Sequence, residues 1–216
     1  MELIFATNNS HKLFEVKEKL RLSDSDIRII SLSEIGFSSE IPETGTTLQE
    51  NARQKMQTIY DFSHRNCFAD DSGLEIEALN GEPGVYSSHY AERNNTVVEP
   101  VETPVPVRSE NNINLVLSKM QGKTNRRACF KTVIALILNG EIYYFEGRVD
   151  GEITTEKYGV DGFGYDPIFR PDGYNETFAE LALEEKNKIS HRGRAVNELV
   201  KFLSEIPIST TTPADQ

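Results

Sequence analysis

"ACFKTVIALILNGEIYYFEGRVDGEI", Ala128 to Ile153, is the stretch that decides how this chain folds. Two runs rich in β-branched and aromatic residues flank Asn139-Gly140, a pair that tolerates the left-handed backbone of a two-residue hairpin turn. The stretch therefore predicts two long antiparallel strands. Upstream, "ELIFAT" (2–7) reads as an opening strand. It feeds a segment with Leu13, Val16 and Leu20 at helical offsets, where Glu15 and Lys19 are placed to pair on the outer face. "IRIISL" (27–32) reads as a second strand, and "TTLQENARQKMQTIYDF" (46–62) as a helix capped by Thr46 or Thr47. "CFADD" (67–71) reads as a short third strand, and a last helix starts near Ser190 with Val196, Leu199, Val200 and Leu203 on one face. Strands alternating with helices around a long hairpin predict a mixed α/β domain.

The 216 residues are enough for a sizeable core, and one domain over 1–205 is expected, with a flexible tail over 206–216. The stretch from Glu92 to Asn112, with three prolines and many polar residues, reads as an exposed loop. A net charge of -11 argues against coating nucleic acid, which takes a basic face. No run of about 18 apolar residues predicts a membrane span, and the N-terminus does not read as a signal peptide, so a cytoplasmic protein is expected. Cys67 and Cys129 sit in apolar runs without metal-type spacing, which suits reduced core thiols.

Four stretches could carry chemistry. "ATNNSHK" (6–12) joins the first strand to the first helix, and its backbone N–H groups, Thr7, Asn8, Asn9 and Lys12 could hold phosphate oxygens, or it is simply a capped turn. Asp70 and Asp71 end the predicted third strand. If both stay ionised they need a nearby cation such as Mg2+, beside which a carboxylate could take a proton from water; Asp-Asp-Ser-Gly is equally the composition of a turn. In "DGFGYDPIF" (161–169), Phe163 could stack on a flat ring with Tyr165 close by, and Asp166 could accept from ring N–H groups, unless the aromatics are core. Lys186, Lys188, His191 and Arg192 cluster before and at the last helix, as an anion-binding knot or a solvated face. His11, His64 and His89 show no ligand spacing. Two decoys fall away: Gly122-Lys123-Thr124 lacks the earlier glycine and the strand of a P-loop, and "GFGYDP" lacks the third glycine of a dinucleotide fingerprint.

Taken in order, Thr7-x-Asn9-x-x-Lys12, "DDSGL" (70–74), "PGVYS" (83–87), "GFGYDPIF" (162–169), "TFAEL" (177–181) and Lys186-x-x-x-x-His191-Arg192 closely resemble the inosine/xanthosine triphosphate pyrophosphatase family. The resemblance runs from about Leu3 to Leu203. It implies an elongated mixed α/β fold with a substrate cleft between two lobes, usually a homodimer, that splits non-standard purine nucleoside triphosphates into monophosphate and pyrophosphate. It further implies Mg2+, with Mn2+ as a substitute. By the same resemblance Thr7, Asn8, Asn9, Ser10, His11 and Lys12 hold the triphosphate. Asp71 is metal ligand and proton acceptor, with Glu43 as the second ligand and Glu40 as a weaker stand-in. Ser72 touches the substrate and Lys55 approaches the phosphates. Phe163, Gly164, Tyr165 and Asp166 form the base pocket, Lys186 adds a contact, and His191 with Arg192 reads the purine edge. Asn8 stands where many relatives have glycine, a difference that Asn's tolerance of left-handed backbone makes acceptable.

Overall fold

The Asn139-Gly140 turn forms as its sequence predicts, both residues having positive φ, 53° and 86°. It joins β5 (Arg127–Leu138) to β6 (Glu141–Ile153) in an unbroken antiparallel ladder from Leu138↔Glu141 to Arg127↔Glu152. The computed structural model describes residues 1–22, 27–94 and 105–205. Around the hairpin stand β1 (Glu2–Phe5), β2 (Arg28–Ile30), β3 (Cys67–Ile76), β4 (Pro83–Gly84) and β7 (Phe169–Pro171), in one sheet ordered β2-β1-β3-β5-β6-β7, with β4 paired to β3. β1 pairs parallel to β2 and β3, while the other pairings are antiparallel. The fold is mixed α/β.

Helices cover the two faces. α1 (Ser10–Leu22) and α6 (His191–Glu205) bury Val16, Leu20, Val196 and Leu199 against Phe5, Phe68 and Leu136. α2 (Leu48–Ser63) buries Ala52, Met56 and Ile59 on the other face, against Cys67, Ala69 and Ile137. A third cluster, around Phe130, Phe169 and Phe178, takes in α4 (Val105–Lys119) through Ile113 and Val116. α3 (Tyr90–Arg93) and α5 (Leu183–Ile189) are short. Both cysteines are buried free thiols, and burial pushes that of Cys67 up to about 12. Among the described residues no helix is long and apolar enough to cross a membrane.

Thr47 is the N-cap of α2. Its hydroxyl accepts from Glu50 N–H at 3.1 Å, and the Glu50 carboxylate accepts in return from Thr47 N–H at 3.1 Å, a complete capping box. Thr47→Ala is expected to cost about 1 kcal/mol, read as a lower urea midpoint at an unchanged slope.

Three expectations are corrected. The third strand does not stop at Asp71, because Ser72 to Ile76 continue the ladder against Thr132 to Ala128. Gly73 is there for close approach, since a Cβ at that position would lie 2.5 Å from the Gly84 carbonyl oxygen. The stretch from Glu92 to Asn112 is not all loop: α4 begins at Val105, with Pro106 in the first turn, where a missing N–H costs nothing. Residues 95–104 and the tail 206–216 lie outside the described residues. Glu15 does not pair outside with Lys19; it is buried at 6% exposure, and Lys19 Nζ donates instead to the Asn187 carbonyl at 3.1 Å.

Candidate active site

Alternation along β3 sends its adjacent aspartates to opposite faces of the sheet. Asp71 faces α2, where its Oδ1 accepts from Lys55 Nζ at 2.9 Å and its Oδ2 from Asn51 Nδ2 at 3.2 Å. Lys55 Nζ also donates to Glu43 Oε1 at 2.9 Å, so two carboxylates converge on one ammonium. Asp70 faces α1 and α6, accepting from Lys12 Nζ at 3.1 Å and from Arg192 Nε at 3.1 Å. Each aspartate thus has its own cation, which relieves the repulsion between neighbours. The two carboxyls titrate differently. Burial works against ionisation of both, but at Asp70 the charges of Lys12, Arg192 and Lys55 prevail and hold it well below the usual carboxylate range. At Asp71 burial prevails over Lys55 and Lys12, so its pKa is raised.

The turn from β1 into α1 is capped by Asn9, whose Oδ1 accepts from the N–H groups of His11 at 3.0 Å and Lys12 at 3.1 Å. Thr7 Oγ1 accepts from Asn9 N–H at 3.2 Å. The capped-turn reading of this stretch therefore holds: two first-turn N–H groups are spent on the cap, while Lys12 lines the cavity. Asn8 has no positive φ, so its left-handed tolerance is not called upon.

Behind the cavity, the buried Glu15 carboxylate bridges Lys186 Nζ, at 2.7 Å, and Arg192 Nη1. Burial alone would raise the pKa of Glu15, but Arg192 and Lys186 hold it below its ordinary value. Lys186 Nζ also donates to Asp166 Oδ2 at 2.7 Å, and that oxygen accepts from Phe163 N–H at 2.8 Å. Burial raises the Asp166 pKa despite Lys186. Arg192 Nη2 donates to Ser72 Oγ at 3.1 Å, and Ser72 meets Thr132 Oγ1 at 2.6 Å. Three of the five guanidinium N–H groups are thereby committed and two remain to donate.

His191 lies flat on Phe130, with ring centroids 4.6 Å apart and planes 10° apart. Burial, followed by the charges of Arg192 and Lys186, drives its pKa well below the usual histidine value, so the ring is neutral. Its buried Nδ1 has no hydrogen-bond partner among the described residues. Gly147 lets α6 come this close, since a Cβ there would stand 1.9 Å from the His191 carbonyl oxygen. Tyr165 is buried and donates to the Ser87 carbonyl at 2.8 Å, so it serves as wall and core rather than as an open stacking face.

One cavity of about 830 Å3 brings these groups together. It is lined by all six residues from Thr7 to Lys12, by Glu40, Glu43, Lys55, Asp71 and Ser72, by Phe163 to Asp166, and by Lys186, His191 and Arg192. Every residue that the family resemblance assigns to the site lines it. Lys188 does not; it is exposed and pairs with Glu184 and Glu185 on its own helix. Asp70 and Glu15 stand behind the lining, as holders of cations. Sequence reading placed Glu15 on the outer face of α1 and so missed it as the partner of Lys186 and Arg192. It also missed Asn51 as a partner of Asp71.

Among the described residues no three His, Cys, Asp or Glu side chains group as metal ligands. Asp71 and Glu43 do form a carboxylate pair. A hard divalent ion takes only one or two protein carboxylates where phosphate oxygens and water complete its shell, so the donor set fits Mg2+.

A family model described as the Ham1 family matches residues 3–202. The chain is 45% identical over 205 residues to a dITP/XTP pyrophosphatase of Flavobacterium johnsoniae, covering 94% of this chain and 98% of that protein. It is 43% identical to a dITP/XTP pyrophosphatase of Porphyromonas gingivalis, covering 94% and 97%. Among solved structures, a HAM1 protein from Coxiella burnetii superposes with a TM-score of 0.81 at 38% identity, covering 95% of this chain and 100% of that one. A nucleoside-triphosphatase / dITP/XTP pyrophosphatase from Mycobacterium abscessus superposes with a TM-score of 0.69 at 34% identity, covering 93% and 99%.

Proposed function

The chain belongs to the Ham1 family, and from that membership we propose that it hydrolyses the non-standard purine nucleoside triphosphates ITP, dITP and XTP to the monophosphate and pyrophosphate. The observation that carries this is one cavity with Lys12, Lys55, Glu43 and Asp71 among its lining and an aromatic, hydrogen-bonding set around Phe163, His191 and Arg192 in the same space.

Lys12 and Lys55 bind and orient the polyphosphate. Asp71 takes a proton from water as that oxygen bonds to the α phosphorus. The bond from the α phosphorus to the bridging oxygen breaks, and pyrophosphate leaves with the electron pair. Asp71 and Glu43 would hold Mg2+, or Mn2+ in its place, whose chemistry is to neutralise charge on the leaving pyrophosphate. The two uncommitted N–H groups of Arg192 donate to the 6-oxo group of the purine. Adenine presents an amino donor there and leaves the buried guanidinium unpaired, a mismatch that discriminates by about 10⁴-fold. The expected setting is a single domain, a homodimer in the cytoplasm, acting on small molecules rather than nucleic acid or membrane. This rests on the family and on the net charge of -11.

Purified protein incubated with ITP, XTP and ATP in Mg2+ tests the reading. IMP and XMP with stoichiometric pyrophosphate, and little product from ATP, are expected. Release of single phosphates, or ITP binding without turnover, would overturn it.

A further inference from the structure

The His11 ring stacks on Phe163, with centroids 5.4 Å apart and planes inclined by 24°. The helix end that carries Lys12 thus meets the loop that carries Phe163 ring to ring. Two more groups lie over the same phenyl ring, Lys186 Nζ at 5.2 Å and Arg192 Cζ at 5.4 Å from its centroid. A purine that stacks on Phe163 where one of these groups lies displaces that group. Lys186 and Arg192 are buried and each is held by two carboxylates, Glu15 with Asp166 and Glu15 with Asp70, so moving either leaves buried charge unpaired. His11 is exposed, and its ring moves by side-chain rotation alone.

We propose that His11 is a base-stacking residue: its ring swings off Phe163 as substrate enters and closes on the other face of the purine, which then lies between the two rings. The proposal rests on the purine nucleotide reading above and changes the part His11 plays in it. Its backbone N–H stays with the Asn9 cap at the phosphate end, while its side chain serves the base. Two stacking contacts of about 3.5 Å each would set the rings roughly 7 Å apart, so they part by about the thickness of one ring. The present stack holds Phe163 in place until the base arrives.

Calorimetric titration of the whole protein with two probes separates the ends of the cavity: IMP carries the base without a polyphosphate, and inorganic pyrophosphate carries no base. His11→Ala is expected to weaken IMP binding about tenfold, and His11→Phe to restore it, with pyrophosphate affinity unchanged in both. The proposal is overturned if the wild type does not bind IMP, or if His11→Ala binds IMP as well as the wild type or better, which would make the ring a mere cover on Phe163. Equal weakening of both probes, or no recovery in His11→Phe, overturns it as well. Absence of ITP turnover by the wild type would remove the proposed reaction while leaving the titration readable on its own terms.

Discussion

Asp71→Asn is expected to lower kcat on ITP by about 10²- to 10⁴-fold, the range lost with a general base. Asn keeps the shape and one acceptor oxygen for Lys55, which also retains Glu43 at 2.9 Å, so the fold has little reason to fail. Burial already works against the Asp71 charge, and the variant should unfold no more easily than the wild type. Thermal melting beside single-turnover kinetics checks both halves. A normal kcat would remove Asp71 from the chemistry, and a collapse in melting temperature would make it a structural ion.

Glu15→Gln has the opposite profile. It removes the charge that bridges Lys186 and Arg192, leaving the two buried cations with only Asp166 and Asp70 as charged partners, and is expected to cost about 3 kcal/mol at neutral pH. The sign of the pH dependence follows from the lowered pKa of Glu15. The stabilisation is fully present above the ordinary Glu value of 4.5 and is lost as pH falls through the lower value of the folded state, so the gap between wild type and variant closes in acid. Urea unfolding over that pH range measures it. Because Glu15 also aims Arg192, the variant is expected to lose preference for ITP over ATP, through a higher KM for ITP more than through kcat. A gap that widens in acid, or an unchanged preference, would contradict this role.

Which parts of the molecule were legible in the sequence follows from where each signal resides. The β5–β6 hairpin and the α2 cap are set by local chemistry: Asn139-Gly140 turns as read, and of the two threonines read as caps Thr47 takes the position, locked by Glu50. The extension of β3 through Ser72-Gly73 is a tertiary effect: a turn-favouring dipeptide becomes strand because β5 and β4 flank it and the Gly84 carbonyl needs the space. α4 was obscured by the prolines of the stretch from Glu92 to Asn112, of which Pro106 lies in its first turn. Glu15 was misplaced because its partners, Lys186 and Arg192, lie 171 and 177 residues away, beyond any local pattern. The cavity lining was legible for a different reason. Its motifs are spread from Thr7 to Arg192, and it was their order, rather than the strength of any one of them, that pointed to a single site.

Hydrolysis of ITP in 18O-labelled water tests the central claim most directly, since the label marks the phosphorus that water attacks. Attack at the α phosphorus places one 18O in IMP and none in pyrophosphate, and that is the expected mass spectrum. Label in pyrophosphate with unlabelled IMP would place the attack at the β phosphorus and contradict the mechanism.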